Sequence, residues 1–450
     1  MAIFLVMNPS LSVSRRRFLV QAAVAASAPL ILRSWAAEPP ANSRINLASI
    51  GLGPQGRGLM GGFLGHAQAR VVAVCDVDTN RREDGKKRVE AYYKNKAESG
   101  AAQGCQTYAD FRELLARPDI DGVVIAVPDH WHAPITIAAA LAGKDIYCEK
   151  PLSKSVHESR AMVRAVRQKK RILQVGSMQR SMREFRVACE LVRNGLLGKI
   201  DHVDVGVGGP PVPCDLPEEA AEPGLNWDLW QGPAAPRPYN SVLSPRGVHG
   251  HYPNWRHYRE YGGGGVCDFG AHHFDIAHWG LGMDESGPLE ILPPADWQTA
   301  QNGVRLRYAG GVIVNHTAGN GIAFHGEHGD VKVDRGSIAV TIGGKTIEKG
   351  DGPLRDQLDR VEKEFLGQAK VHLYQSSDHL GDWLTAIGSR KMPICDVETG
   401  ARTANVCHLV NLAYLHGQTM KWDAAKEQFT GGTGDAAWLD INHRAPWQVG

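Results

Sequence analysis

One stretch constrains the fold of this chain more than any other. Residues 44–50 form a short apolar run suited to a buried parallel strand, and Gly51-Leu52-Gly53-Pro54-Gln55-Gly56 follows directly. A helix-like segment opens at Gly58, and a second apolar run, residues 69–75, ends at Asp76, twenty residues beyond Gly56. With 51 glycines in the chain, G-x-G-x-x-G arises readily by chance. Its place between strand and helix gives it meaning. Gly51 makes the tight turn, Gly53 lets a pyrophosphate approach the backbone, and Gly56 lets helix and strand pack closely. The helix N-terminus turns its partial positive charge toward the phosphates. Asp76 is placed to accept hydrogen bonds from ribose hydroxyls and to repel a 2′-phosphate, which favours NAD; nearby Asn80, Arg81 and Arg82 keep NADP open. Gly51, Gly53, Gln55, Gly56 and Asp76 are therefore candidate cofactor contacts.

The alternation continues with a capped helix at residues 108–115 and a buried strand at 120–127. An alanine-rich helix at 134–141 and a short strand at 145–148 follow. Strands alternating with helices predict a doubly wound parallel sheet over residues 44–176, with its ligand beyond the carboxyl ends of the strands. Two clusters fall at those ends, Pro128-Asp129-His130-Trp131-His132 and Glu149-Lys150-Pro151. Pro128, His130, Glu149 and Lys150 are placed at the cofactor, Trp131 and His132 at the substrate.

Residues 177–450 read differently. An alternating strand at 202–207 precedes a proline-rich stretch, 208–245, expected to lie over the site or against a neighbouring subunit. Strand-like runs recur at 304–308, 312–316 and 337–342, and helical patterns at 379–387 and 400–415. The eight cysteines are scattered, without a C-x-x-C pair, so buried reduced thiols are expected.

Composition narrows the function. With 43% hydrophobic and 22% charged residues the chain is globular, and a formal charge of +2 lacks the basic excess of a nucleic-acid binder. Even that excess belongs to residues 1–36, which hold Arg15, Arg16, Arg17 and Arg33 and no acidic residue. The apolar run 18–32 is shorter than the about 20 residues a membrane span needs. Ser34-Trp35-Ala36 after it is a small-x-small cleavage pattern. Ser14-Arg15-Arg16-Arg17-Phe18-Leu19 resembles the twin-arginine (Tat) signal, which exports proteins already folded. A cleaved leader, a periplasmic location, the Tat machinery as partner, no stable membrane anchor and a cofactor acquired in the cytoplasm and held tightly are expected.

At Glu149-Lys150-Pro151 the sequence resembles the Gfo/Idh/MocA oxidoreductase family, and Gly262-Gly263-Gly264-Gly265-Val266-Cys267-Asp268-Phe269-Gly270-Ala271-His272-His273-Phe274-Asp275 resembles a second signature of it. The resemblance implies that Lys150 is the active-site lysine, completed by Asp268 and His272. It also implies a C-terminal α+β domain with a large, mostly antiparallel sheet, used for homo-oligomerisation as a dimer or tetramer. Gln179 and Arg180 stand where the family places substrate contacts; Arg180 could bind a carboxylate or another hydroxylated group, or make a structural ion pair.

Chemistry read from the residues alone agrees. Oxidising a secondary alcohol with NAD needs a base for the hydroxyl proton; histidine can accept it at neutral pH, and lysine can hold the oxygen. We assign His272 as base, Lys150 as electrophilic partner and Asp268 as orienter or hydroxyl acceptor, the last because four residues on a helical turn share a face with His272. The base role could instead be that of Lys150. Trp131, Trp255 and Tyr258 offer ring faces to a sugar, and His132 and His273 offer polar contacts. Histidines concentrate in three segments, yet no H-E-x-x-H or comparable spacing appears, so a hydroxyl-binding pocket is expected and no metal is assigned. Three functions fit: an NAD(P)-dependent oxidoreductase of a sugar, glycoside or polyol; a glycoside hydrolase of the same fold using transient oxidation at C3 and elimination; and a nucleotide-bound carbohydrate sensor.

Overall fold

The computed structural model describes residues 44–96 and 104–449. The leader expected over residues 1–36 lies outside them. Six strands, β1 (Ile45–Ile50), β2 (Ala69–Cys75), β3 (Gln106–Tyr108), β4 (Gly122–Ile125), β5 (Asp145–Cys148) and β6 (Leu173–Val175), form a sheet in the order β3-β2-β1-β4-β5-β6. Every neighbouring pair is parallel. All residues of β4 and β5 are buried, which explains why β4, and β5 after Asp145, run apolar instead of alternating: helices cover both faces. Those helices are α1 (Pro54–Gly65), α2 (Thr79–Asn95), α3 (Phe111–Leu115), α4 (His132–Leu141) and α5 (Val156–Gln168). Asp78, Asp110 and Ser155 cap α2, α3 and α5 through side-chain oxygens that accept from backbone N–H groups of the first turn. The helix expected from residue 108 therefore starts at Phe111, because Tyr108 still pairs in β3 and Asp110 holds the cap.

The second half contributes α6 (Arg183–Arg193), β7 (Ile200–Gly206), α7 (Trp227–Gln231), α8 (Gly264–Asp268) and α9 (Gly270–Leu281). Then come β8 (Glu290–Leu292), β9 (Arg305–Arg307), β10 (Ile313–Thr317), β11 (Gly321–Gly326), β12 (Gly329–Asp334), β13 (Ser337–Ile342) and β14 (Lys345–Ile347). Helices α10 (Leu354–Phe365), α11 (His379–Ser389) and α12 (Val397–His416) precede the hairpin β15 (Met420–Asp423) and β16 (Gln428–Thr430). The ten strands form one sheet in the order β14-β13-β12-β11-β7-β10-β9-β8-β15-β16. Only the central pair β7 and β10 is parallel.

Alternation sets its two faces apart. Val203, Val205, Val314, Ile322, Phe324, Val331 and Val333 point under the helices, while His202, Asp204, Asn315, His325 and Lys332 point the other way. Phe324 fills the space over Gly280 of α9, where an added Cβ would stand 2.6 Å from the ring. Truncating such a fully buried ring costs about 3–5 kcal/mol.

The chain returns late to the first sheet. On α11, Trp383 is completely buried, with its ring 5.4 Å from Phe63 and 5.8 Å from Tyr147. Val397, Ala401 and Ala404 of α12 join the core around Met162 and Val175. The glycine loop thus stands on a sheet packed from both ends of the sequence. All eight cysteines are free thiols, seven of them buried. Among the described residues no helix is long and apolar enough to cross a membrane.

Candidate active site

A cavity of about 460 Å³ opens beyond the carboxyl ends of β1, β4 and β5. The strand order reverses between β1 and β4, so the loops leaving them diverge and leave a crevice. The three loop glycines are required for three separate reasons. Gly51 has φ +87°, and a Cβ there would meet the Ala126 carbonyl at 2.4 Å; a Cβ on Gly56 would meet the Gly51 carbonyl at 1.9 Å. Gly53 faces open space, with nothing within 4 Å of an added Cβ. That opening at the start of α1 is where a pyrophosphate fits.

Asp76 fastens this loop: its Oδ2 accepts from Leu52 N at 2.7 Å and its Oδ1 from Asp78 N at 2.9 Å. Arg82 donates to the Asp76 carbonyl at 2.7 Å, and Arg81 lies 3.4 Å from Asp78, so both arginines have protein partners. Gln55 Nε2 donates to Glu149 Oε1 at 2.8 Å, and Tyr252 Oη donates to Gln55 Oε1 at 3.2 Å. Burial pushes the Glu149 carboxyl up, opposed by the Lys150 charge. Pro128, Trp131 and Trp255 complete this wall, with Leu229, Trp230, Leu243 and Ser244 of the proline-rich stretch lying over it.

Lys150 follows β5, and its Nζ donates to Asp268 Oδ1 at 2.5 Å and to the Asp268 carbonyl at 2.9 Å. Burial would raise the Asp268 carboxyl, but Lys150 and Arg256 outweigh it and hold it below the usual carboxylate range. His272 sits in the first turn of α9, 4% exposed, and lines the same cavity. Burial first, then the charges of Lys150 and Arg335, pushes its imidazole well below the ordinary histidine value, so it is neutral. Its buried Nδ1 has no hydrogen-bond partner among the described residues. Asp268 at the end of α8 and His272 in α9 line the same cavity across Phe269, which keeps helical dihedrals, but the carboxylate bonds Lys150 and not the imidazole it was expected to orient.

Six expected contacts stand away from the cavity and need correction. His130 Nε2 bonds the Trp230 carbonyl at 3.0 Å inside an aromatic cluster with Trp230 and Tyr261. His132 is held by the carbonyls of Pro151 and Val127 at 2.6 and 3.0 Å. Gln179 is fully buried; with its amide turned over, the nitrogen donates to the His272 carbonyl and the oxygen accepts from Arg335 Nε, both at 3.2 Å. Arg180 forks onto Asp275 at 2.7 and 2.8 Å and reaches Asp284 at 2.7 Å, a buried structural network. Tyr258 packs against the cluster of Trp230, Ala234, Leu243, Trp255 and Tyr261, and His273 Nδ1 meets the Gly206 carbonyl at 2.9 Å. Polar residue type gave the expectation; backbone carbonyls instead engage His130, His132 and His273, and carboxylates engage Arg180.

The cavity also contains residues the sequence reading missed. Arg256 stacks 4.3 Å over Trp255, and its Nε lies 3.7 Å from Asp268 Oδ1. Arg335, in the turn after β12, stands 5.2 Å over Phe269. A lone arginine in a turn reads as solvated, so only the tertiary fold brings it here. The lysine, the two arginines and a neutral imidazole together form an electropositive wall that can hold an oxygen as it loses its proton.

Comparison with known proteins agrees with this geometry. Residues 45–177 match the Gfo/Idh/MocA family model described as "Oxidoreductase family, NAD-binding Rossmann fold". Residues 213–449 match that of the family's C-terminal α/β domain. Levoglucosan dehydrogenase of Pseudarthrobacter phenanthrenivorans is 42% identical over 92 residues, 20% of this chain and 24% of that protein. Glycosyl hydrolase family 109 protein 2 of Shewanella sp. (strain ANA-3) is 31% identical over 163 residues, 36% of this chain and 35% of that protein. The chain thus matches only about a quarter to a third of these relatives' lengths, 24% and 35%. A solved levoglucosan dehydrogenase in complex with NADH and levoglucosan superposes with a TM-score of 0.53 at 19% identity, over 84% of this chain and 99% of that one, which shows a shared fold.

Proposed function

This chain belongs to the Gfo/Idh/MocA oxidoreductase family, and on that premise we propose that it is an NAD-dependent oxidoreductase of a secondary hydroxyl on a sugar, glycoside or polyol. One observation carries the reading: Lys150 Nζ, paired with Asp268, and a neutral His272 with an unpartnered Nδ1 line one cavity with the glycine loop.

Gly51, Gly53 and Gly56 would hold the pyrophosphate, Asp76 the ribose, and Gln55, Pro128, Glu149 and Lys150 the nicotinamide half. When bound, the nicotinamide supplies a hydride acceptor. The chain's own residues manage the proton. Lys150, positioned by its bond to Asp268, holds the alcohol oxygen and favours its negative charge. His272, neutral, accepts the hydroxyl proton and returns it in the reverse direction. Trp131 and Trp255 pack against the sugar's C–H face, and Arg256 and Arg335 bind its remaining oxygens. The enzyme works in the periplasm after Tat export of the folded chain and cleavage of residues 1–36, as a homo-oligomer, with a tightly held cofactor.

A second reading rests on the glycosyl hydrolase relatives. In it the same residues would oxidise the C3 hydroxyl transiently, the C2 proton becomes acidic, the aglycone leaves C1 by elimination, water adds to the resulting enone at C1 and returns a proton to C2, and the carbonyl is finally reduced again. One experiment separates the two. The purified chain is scanned for nucleotide absorbance and incubated with free sugars and with aryl glycosides. Stoichiometric NADH marks the dehydrogenase, and aglycone release without net NADH marks the hydrolase. Failure to hold or bind NAD overturns both; ligand binding without turnover, unchanged in Lys150→Ala, would leave only a carbohydrate sensor.

A further inference from the structure

The open face of the ten-stranded sheet carries a second cluster of histidine and carboxylate. His202 on β7 and His325 on β11 are direct cross-strand partners, and Asp204 lies two residues beyond His202 on the same face. One nitrogen of each ring and one oxygen of Asp204 lie within 4.8 Å of one another. We propose that His202, Asp204 and His325 form a binding site for a divalent transition metal such as zinc, separate from the glycine-loop cavity.

The surroundings of these three side chains carry the argument. His202 Nδ1 meets Asp201 Oδ2 at 2.8 Å, and His325 Nδ1 meets Asp330 Oδ1 at 2.5 Å. A carboxylate on Nδ1 fixes the proton there and leaves the Nε2 lone pair free, the outer-shell arrangement of metal-bound histidines. Asn315 Nδ2 donates to Asp204 Oδ1 at 2.9 Å and so leaves Oδ2 toward the rings. His202 Nε2 is 4.0 Å and His325 Nε2 3.7 Å from that Oδ2. Both separations are too long for hydrogen bonds, so the two Nε2 atoms and Oδ2 face one centre without bonding one another. Two imidazoles and one carboxylate suit zinc, cobalt or nickel, with water in the remaining positions. The rings stack at 4.3 Å and 14°, so binding requires them to hinge apart about their Nδ1 anchors until both Nε2 lone pairs converge. The site would tie β7 to β11.

The test uses the untagged full-length chain, stripped by chelator and titrated with zinc by calorimetry and with cobalt by visible absorption. Wild type is expected to bind one ion per chain and to gain thermal stability with zinc. His325→Ala and Asp204→Asn should each weaken binding by more than about a hundredfold, and Asp330→Asn, acting through His325, by about ten- to a hundredfold. Asp204→Asn keeps the side-chain shape, and the NADH affinity of every variant reports that the chain is folded. No zinc binding in wild type, equal binding in His325→Ala and Asp204→Asn, or several weakly held ions per chain would each overturn the proposal.

Discussion

Histidines and carboxylates gather in two places, the carboxyl edge of the six-stranded sheet and the open face of the ten-stranded one, and they do so by opposite routes. At the edge, His272 is buried beside two cations and kept neutral, while the local carboxylate is taken by Lys150. On the open face, His202 and His325 each have a carboxylate on Nδ1 and stay partly exposed, 34% and 23%. A parallel sheet buried on both faces has only its strand ends to offer a ligand; an antiparallel sheet packed on one face offers a lattice of alternate side chains on the other. The first arrangement suits moving a proton and the second suits holding a cation.

The contrast is tested most sharply at Lys150. Lys150→Ala should lower kcat by about a thousandfold, as loss of an oxyanion-stabilising donor does, while NADH still binds. His272→Asn should lose about a hundredfold or more and remove the acid limb of the pH profile. In wild type that limb should fall below the ordinary histidine range, under about pH 6.5, because the imidazole is held well below it. Steady-state rates against pH, with NADH fluorescence titration, measure all three; a full rate in Lys150→Ala would end the assignment of chemistry to the edge.

Arg180 comes next. Removing one partner of a buried ion pair leaves the other charge uncompensated, so Arg180→Ala should destabilise the chain by about 3–5 kcal/mol. Denaturant unfolding measures the loss, and an unchanged KM for the sugar in the remaining folded protein separates this structural role from a substrate contact.

A smaller effect for each residue comes from the buried imidazoles. Burial, opposed by backbone or carboxylate partners, pushes His130 down to about 3 and His132, His278 and His379 to about 4. As pH falls through about 6.5 the unfolded chain takes up these protons and the folded chain does not, so stability drops with falling pH and levels off only near the folded values. By pH 5 each of the four costs roughly 2 kcal/mol. Thermal unfolding between pH 7 and pH 5 should therefore show a steep fall, and a flat profile would mean that water reaches these rings.

The difference between the regions also explains what the sequence revealed. Gly51 to Gly56 and Asp76 are legible because each stands at a strand end, where local order in the chain places it beside the cavity. The parallel sheet was legible for the same reason, whereas Lys150 is legible only through the family resemblance of Glu149-Lys150-Pro151. His202 and His325 are invisible to spacing arguments: their neighbourhood depends on the register of β7 against β11 across 123 positions. Arg335 reaches the cavity from a distant turn, and the choice between substrate contact and structural ion pair at Arg180 is settled only by the fold, because its carboxylate partners Asp275 and Asp284 lie 95 and 104 residues on. Trp383, the residue that closes the first sheet, comes from a helix near the far end of the chain. A single sequence reports a site when one strand and its loop build it, and conceals it when register or packing does.

Two glycines of one loop sharpen the edge further, with the smallest expected change. A Cβ on Gly56 would sit 1.9 Å from the Gly51 carbonyl, so Gly56→Ala must move backbone and should lower the melting temperature. A Cβ on Gly53 meets nothing within 4 Å, and its φ of −63° is open to alanine. Gly53→Ala should leave the melting temperature nearly unchanged yet weaken NADH a few-fold, under about 1.4 kcal/mol, because the methyl group occupies space the pyrophosphate needs. Calorimetric titration with NADH and a thermal scan on the same samples separate the two glycines. Equal NADH affinity in Gly53→Ala and wild type would place the phosphates somewhere other than the start of α1.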